Sequence, residues 1–440
     1  MKTVLMVAYH YPPDSAVGAL RTRRFVRYLP EFGWAPVVLT VRRKGDAGDG
    51  MPIIGTRILP GLRDAARFAS SILPGRAGDV QAGATAECAA GYLPPDPESV
   101  PRLRRALYAL MWLPDDRQGW FAPAVAAGVL GVVRHQAQVV YSSAPPWTGH
   151  LVGLAVATLT RRPLVADFRD PWVGNPWKPA FVRTRWSDRA DAAMERMVVE
   201  RSAAVLCNTA SVERQMKDRY RGVPDDRFKV LPNGFDPEDV RRSCRQAHAA
   251  RNGVVFAYAG TMYGARDPRP LFRAASAVRA KGVRSFRMVF MGDCARAKGI
   301  PLTQMVKEHG LEDCVELAGN LPRQQCIERL READVLLLFD MGRPCQVAAK
   351  LFEYIGLGKP VLALAEPGSE TAKHVVEAKA GVVADARDEE AVSAAFELAV
   401  GGELCGSPPD VRARYDGRML TGTLAKVLDA VSRARDGRNA

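Results

Sequence analysis

Two α/β domains, each built on a parallel sheet, are predicted for this chain, and three observations predict them. From the N-terminus to about residue 240, short apolar runs alternate with segments of helical apolar spacing, the pattern of strand–helix–strand units. The same alternation restarts at GVVFAYAG (253–260), after the polar, basic stretch RRSCRQAHAARNG (241–253). Several runs, such as VLALA (361–365), are continuously apolar, as strands buried on both faces of a parallel sheet must be. The expected division is residues 1–240, residues 254–410 and closing helices over 411–440 that pack back on the first domain, with a cleft between the two sheets.

The first strand is Thr3–Ala8, and the loop YHYPPDSAVG after it runs into a helix with Leu20, Phe25, Val26 and Leu29 at helical spacing. Ligands of open α/β sheets bind beyond the carboxyl ends of strands, and helix N-termini attract anions. Gly18, Ala19 and Arg21 are therefore placed to face a diphosphate, unless the loop only turns the corner. GWAPVVLTVRR (33–43) is the second strand. Residues 44–100 are rich in Gly, Pro and Ala and carry no clear element, with PPDPESVP (94–101) as a loop. RLRRALYALMWL (102–113) sets Leu103, Leu107, Leu110 and Trp112 beside Arg102, Arg104 and Arg105. It reads either as a helix lying on an acidic membrane face or as a packed helix with a solvated basic edge.

AQVVYSSAPPWTGHLVGLAVA (137–157) and PLVADFRDPW (163–172) are two strands, each with a polar turn after it. They bring His150, Arg169 and Asp170 to one sheet edge, an acceptor side, although a histidine opening an apolar helix is as readily structural. AAVLCNT (203–209) and KVLPNGFDPEDV (229–240) end this series, with Asn233-Gly234 as a turn signal. The second series is GVVFAYAG, SFRMVFMG (285–292), CVELAGN (314–320), ADVLLLF (333–339), PVLALA (360–365) and AGVVAD (380–385).

Within it, MGRPCQVAAKLFEYIGLGKPVLALAEPGSE (341–370) carries Lys350 and Glu353 on one face of a short helix whose Leu351, Phe352, Tyr354 and Ile355 are buried. Gly356 and Gly358 end that helix and Pro360 stops its continuation. A carboxylate and an ammonium at a sheet edge suit a sugar hydroxyl and a phosphate; taken alone, they are also an ordinary exposed ion pair.

Composition sets the outer bounds. The 440 residues are 47% hydrophobic and 25% charged, enough for real cores, and the net charge of +14 calls for an anionic partner: a phosphorylated substrate, an acidic membrane surface or nucleic acid. Eight scattered Cys without a CxxC pair argue against a zinc site or a disulfide framework and for a reducing cytoplasm. The first apolar run is about six residues, short of the roughly 7–15 of a signal-peptide core. No run approaches the ~18 of a membrane span. The expected location is cytoplasmic, with any membrane contact peripheral, on the inner face of the cytoplasmic membrane. No RNP, helix-turn-helix or zinc-finger pattern supports a nucleic-acid partner.

The first-strand loop with Gly18, the NGFD turn (233–236), YAGTMYGARDPRPL (258–271), the paired segments SSAPPWTGH and DFRDPW, and the KLFEYIGLGKPVLAL block resemble the retaining glycosyltransferases of family 4, whose GT-B fold joins two Rossmann-like domains. The likeness covers nearly the whole chain except 44–100, and points to a branch associated with polysaccharide and cell-envelope glycan assembly. It implies a nucleotide-sugar donor held mainly by the second domain, a glycan or polyprenyl-diphosphate-linked acceptor, and no metal or other cofactor. Glu353 would accept from the nucleotide ribose; Arg266, Arg269 and Lys350 would neutralise the diphosphate; Gly260, Gly319, Asn320 and Leu321 would help bind the donor, with the 319–322 backbone reading the base. His150 and Asp170 would orient acceptor or donor sugar, with Arg169 and Arg21 on the acceptor side.

The family's first motif glutamate falls at Cys345, a departure that withholds the identity of the sugar. No DxD triplet is present, so arginine charge would stand in for a bridging cation. Retention in this family is explained by the leaving phosphate taking the acceptor's proton, with no enzyme nucleophile. The alternatives are a GT-B-fold nucleotide-sugar epimerase, which relies on acidic and His residues that are scarce here, and a basic nucleic-acid-binding or non-catalytic scaffold protein.

Overall fold

The computed structural model describes residues 1–14, 17–42, 50–60, 101–175, 178–242, 253–282 and 285–439. Most of the weakly patterned 44–100 stretch, including nearly all of the loop expected at 94–101, and the middle of the basic stretch at 243–252 lie outside the described residues. Among those described, one unit comprises residues up to 232 together with 421–439, and a second comprises 233–420.

The first unit is a seven-stranded sheet in the order β3-β2-β1-β4-β5-β6-β7. Its strands are β1 (Lys2–Ala8), β2 (Trp34–Val41), β3 (Ile53–Thr56), β4 (Val139–Ala144), β5 (Leu164–Phe168), β6 (Ala204–Cys207) and β7 (Phe228–Val230). Every neighbouring pair is parallel, with Leu5 opposite Val37 on one side and Val140 on the other. Val4, Leu5, Met6 and Val7 are fully buried, as a central strand covered by helices on both faces requires. β3 is an element the sequence does not announce: four residues in a Gly- and Pro-rich stretch, paired at the sheet edge through Val38–Ile53 and its successors.

The second unit is a six-stranded parallel sheet in the order β12-β9-β8-β13-β14-β15. Its strands are β8 (Val254–Ala259), β9 (Phe286–Met291), β12 (Val315–Gly319), β13 (Val335–Asp340), β14 (Val361–Ala365) and β15 (Gly381–Ala384), while β10 (Arg296–Ala297) and β11 (Ile300–Pro301) form a separate two-residue antiparallel ladder. VLALA is buried on both faces, as its composition predicts. Both sheets reverse their strand order once: the chain leaves β1 toward β2 and returns to place β4 on the other side of β1, and β13 returns beside β8 in the same way.

The second unit starts at Asn233, earlier than residue 254, because Phe235 binds it to the unit's far end. Phe235 N–H donates to the Tyr415 carbonyl (3.0 Å), and Gly417 N–H donates to the Phe235 carbonyl (2.9 Å). The Phe235 ring rests on Gly356, where any Cβ would collide with it. At residue 421 the helix Gly417–Asn439 passes into the first unit, where Lys2 Nζ meets Asp429 Oδ1 at 2.8 Å and Gly422 packs on the Phe32 ring. No helix among the described residues is long and apolar enough to cross a membrane.

Phe235 is 7% exposed, so Phe235→Ala is expected to cost about 3–5 kcal/mol in urea unfolding. A loss below about 1 kcal/mol would place the start of the unit after residue 240.

Candidate functional site

In open parallel sheets the crevice for a ligand opens where strand order reverses, because the two loops leaving adjacent strands diverge to opposite faces. In the first unit those loops follow β1 and β4; in the second they follow β8 and β13.

Around the first reversal, His150 sits two residues into the helix Thr148–Thr160. That helix has no cap from its own Trp147; Asp115 supplies one from elsewhere, accepting from Thr148 N–H (2.8 Å) and its hydroxyl (2.7 Å). His150 is fully buried, with Nδ1 at 2.8 Å from Ser142 Oγ, its ring 4.3 Å from the Phe168 ring and Nε2 without a hydrogen-bond partner. Burial lowers its pKa to about 3, against the support of Asp167. The sequence places this histidine at the right edge but cannot show that it is sealed. As described, it is a neutral ring packed inside the unit, out of reach of an acceptor.

Arg21 also differs from its expected role. Its guanidinium is 2% exposed and holds both oxygens of the fully buried Asp167 (Nε–Oδ2 2.8 Å, Nη2–Oδ1 2.9 Å). It donates besides to the Leu231 and Pro232 carbonyls, each at 2.8 Å, and the Tyr141 hydroxyl completes the Asp167 shell at 2.5 Å. A guanidinium committed to a buried carboxylate and two carbonyls supports the sheet edge; it does not face an acceptor.

Arg169 and Gly18 do come together. The Arg169 guanidinium occupies the space that a Cβ at position 18 would fill, and it donates to the Pro145 carbonyl. Gly18 is thus needed so that Arg169 can lie against the first turn of the helix Val17–Tyr28, and Asp170 follows half-buried beside it. The sequence reading misses His10, whose Nδ1 lies 2.5 Å from Asp14 Oδ2 in the loop after β1; their four-residue spacing was the available signal.

In the second unit, backbone hydrogen bonds join the ends of β8, β9 and β12. Gly260 N–H donates to Met291 (2.9 Å), and Gly292 N–H to Gly319 (2.7 Å). Gly292 and Gly319 have φ of +103° and +65°, a region costly for other residues. Asn320 is exposed and Leu321 half-buried, just ahead of the helix Arg323–Glu332. Lys350 and Glu353 do form the i,i+3 pair (3.4 Å) on the helix Ala349–Leu357. The pair is not isolated: Arg323 Nη1 lies 2.9 Å from Glu353 Oε1, and its Nη2 is 2.7 Å from Asp239. Burial pushes the Glu353 carboxyl up, and Lys350 and Arg323 more than reverse this, holding it down at about 2.

Arg266 and Arg269 part company. Arg269 is spent on Asp267, which it grips through Nε and Nη2 (Nη2–Oδ2 2.6 Å) beside the start of its own helix. Arg266 lies over the Tyr263 ring (4.2 Å to the centroid) and donates to the Thr261 carbonyl (2.6 Å), with Nε unpaired. Arg343 approaches the same ring from the β13 loop at 5.6 Å. It is anchored at 2.8 Å on Asp340, the last residue of β13. Arg323, Arg343 and Asp340 escape a sequence reading, although Asp340 ends an apolar run as Asp170 nearly does.

A group held neutral below its unfolded pKa stabilises the fold above that pKa and loses the contribution as pH falls. For His150 this window runs from about 6.5 down to about 3, over which the unfolded chain binds the extra proton. His150→Gln is therefore expected to flatten the fall in unfolding free energy between pH 6.5 and 4 by up to about 1.4 kcal/mol per pH unit, measured by urea titration at each pH. An unchanged slope would mean that the ring is charged in the fold.

The Glycosyltransferase Family 4 model matches residues 84–239. D-inositol 3-phosphate glycosyltransferase of Geodermatophilus obscurus is 27% identical over 226 residues, 49% of each chain, and that of Corynebacterium aurimucosum is 25% identical over 184 residues, 40% of this chain and 43% of that one. The chain thus spans about half the length of the curated relatives it matches. Sucrose-phosphate synthase from Thermosynechococcus elongatus superposes with a TM-score of 0.62 at 13% identity, covering 99% of this chain and 100% of that one. Anabaena Alr3699/HepE in complex with UDP gives 0.62 at 16%, covering 98% and 100%. Residues 84–239 are thus similar to the Glycosyltransferase Family 4 model, and the pair of parallel sheets has the GT-B fold of the solved glycosyltransferase structures on which it superposes.

Proposed function

We propose that this chain transfers a sugar from a nucleotide-sugar donor, with retention of anomeric configuration, to a glycan or polyprenyl-diphosphate-linked acceptor in cell-envelope or extracellular polysaccharide assembly. The observation that carries the donor half is Glu353. Two cations hold its carboxylate down at about 2, so it is a ready acceptor for the paired hydroxyls of a ribose. The glycine-joined ends of β8, β9 and β12 belong to the same unit and offer backbone donors and acceptors that suit a base. Structures of the Anabaena relative with UDP and with UDP-glucose support the same class of donor.

In this reading the C1–O bond to the diphosphate breaks while an acceptor hydroxyl forms the new C1–O bond on the same face, and its proton passes to the departing phosphate. Arg266 offsets the charge that builds on the diphosphate, an electrostatic contribution realised mainly in the transition state. Lys350, 3.4 Å from Glu353, keeps that carboxylate oriented and adds a second positive charge.

The helix Arg102–Met111 supports an acidic membrane face for the acceptor. It buries Ala109 alone, while Leu103 (77%), Leu107 (48%) and Leu110 (45%) are exposed beside the exposed Arg102 and Arg104. The protein is expected to sediment with vesicles containing anionic lipid at low salt and to be released at high salt. Staying in the supernatant under both conditions removes the membrane from the proposal.

The donor reading is tested by thermal shift and calorimetry with a panel of nucleoside diphosphates and their sugars, followed by product analysis. Glu353→Ala is expected to weaken nucleoside-diphosphate binding about tenfold or more. Equal stabilisation of both proteins by nucleotide would discard the ribose contact, and a nucleotide sugar altered without any acceptor would favour an epimerase.

A further inference from the structure

We propose that Arg323 is a positioning residue of the donor site, one that locks the Glu353 carboxylate to the loop 319–322 so that ribose and base are held in a single register. The proposal rests on the nucleotide-sugar reading for the identity of the ligand, and on geometry for the place. Three separate stretches of the chain meet at this guanidinium. Its Nη1 donates to Glu353 Oε1 (2.9 Å) on the helix Ala349–Leu357, and its Nε and Nη2 both donate to Asp239 Oδ2 (3.1 and 2.7 Å) on the helix Pro237–Arg242. With all three nitrogens engaged, the planar group cannot turn without breaking a bond.

The loop 319–322 leads directly into Arg323, the first residue of the helix Arg323–Glu332. Pro322 gives that helix no side-chain cap, so the far end of the loop is tied down by the Arg323 side chain. The near end is tied by backbone, where Gly292 N–H donates to the Gly319 carbonyl (2.7 Å). Between the two ties, Leu321 packs against a core cluster that contains Leu351 and Phe352 of the Glu353 helix. A loop held at both ends and in its middle has little freedom left to lose when a base binds.

The Arg323–Glu353 contact also differs from an ordinary surface ion pair. The Glu353 side chain is 17% exposed, and while Arg323 holds Oε1 a second cation, Lys350, holds Oε2 at 3.4 Å. Each oxygen keeps a further lone pair, which suits the two neighbouring hydroxyls of a ribose. Asp239, at the other end of the guanidinium, sits on an anchored segment: Asp236 Oδ1 accepts from Glu238 N–H (3.0 Å), and Phe235 is bonded to Tyr415. The apolar side chains of Phe235, Ile327 and Leu330 line a cleft beside these charges and screen one side of them from water. Arg323 thus passes the rigidity of that segment on to the carboxylate that meets the ligand.

The test is calorimetry of the full chain with UDP, 2′-deoxy-UDP and inorganic diphosphate, for wild type, Arg323→Gln, Arg323→Lys, Asp239→Asn, Glu353→Ala and the double variant Arg323→Gln/Glu353→Ala. Arg279→Gln, at an exposed ion pair with Asp313, controls for loss of one positive charge. UDP binding is expected to weaken about tenfold in Arg323→Gln, less in Arg323→Lys and Asp239→Asn, and not in Arg279→Gln, with inorganic diphosphate little changed throughout. The preference for UDP over 2′-deoxy-UDP, which a merely structural residue would leave alone, is expected to collapse in Arg323→Gln. The double variant is expected to bind UDP no more weakly than Glu353→Ala, because both changes remove the same contact. The proposal is overturned if wild type binds no UDP or shows no ribose preference, or if Arg323→Gln keeps wild-type UDP affinity or that preference. It is overturned equally if inorganic diphosphate binding falls as far as UDP binding, or if the two losses add in the double variant. Should Glu353→Ala bind UDP as wild type does, the ribose reading fails and this proposal with it; should Glu353→Ala alone be weakened, that reading stands and Arg323 has no part in it.

Discussion

Each unit is organised by a carboxylate taken out of water at the carboxyl end of a strand. Such a group is costly unless every lone pair is used, so it draws its partners from distant parts of the chain and fixes them. In the first unit Asp167 collects Arg21, Tyr141 and, through Arg21, the carbonyls that follow β7. In the second, Asp340 collects Arg343, Thr371 and the backbone at the start of the helix bearing Lys350 and Glu353. The sheets supply rigid edges; these two aspartates decide which loops meet there.

The two networks leave different things at the surface. Asp167 consumes its arginine entirely, so the first unit's edge is presented by Arg169 on Gly18 and by the His10–Asp14 pair. Asp340 consumes only part of the local positive charge, since Arg266 reaches the same tyrosine from the neighbouring loop. Glu353 is likewise held by two cations, Lys350 and Arg323, and Arg323 in turn reaches Asp239, so this second cluster on the same sheet matches two carboxylates with two cations.

Much of this is legible in the sequence where the signal is local. VLALA reads as a doubly covered strand because its own residues say so, and Lys350 and Glu353 pair because three residues of helix bring them round. β3 is illegible because four residues at a sheet edge carry too little pattern. Arg343 is illegible because the ring it shares lies 80 residues away, and Arg21 is misread because its carboxylate lies 146 residues away. His150 shows the remaining gap: spacing locates a side chain along a strand edge, but burial depends on Trp147, Phe168 and Ser142 closing around it.

The path of the chain between the units has a consequence for synthesis. Residues 421–439 complete the first unit, and the ion pair between Lys2 and Asp429 joins its two ends. As the polypeptide leaves the ribosome, the first sheet must wait through all of 233–420 before its closing helix arrives. The second unit, whose own Phe235 waits for Tyr415, is finished only a few residues earlier. The two folding events therefore converge on the synthesis of residues 415–439, and a nascent chain halted before residue 415 lacks closing contacts of both units.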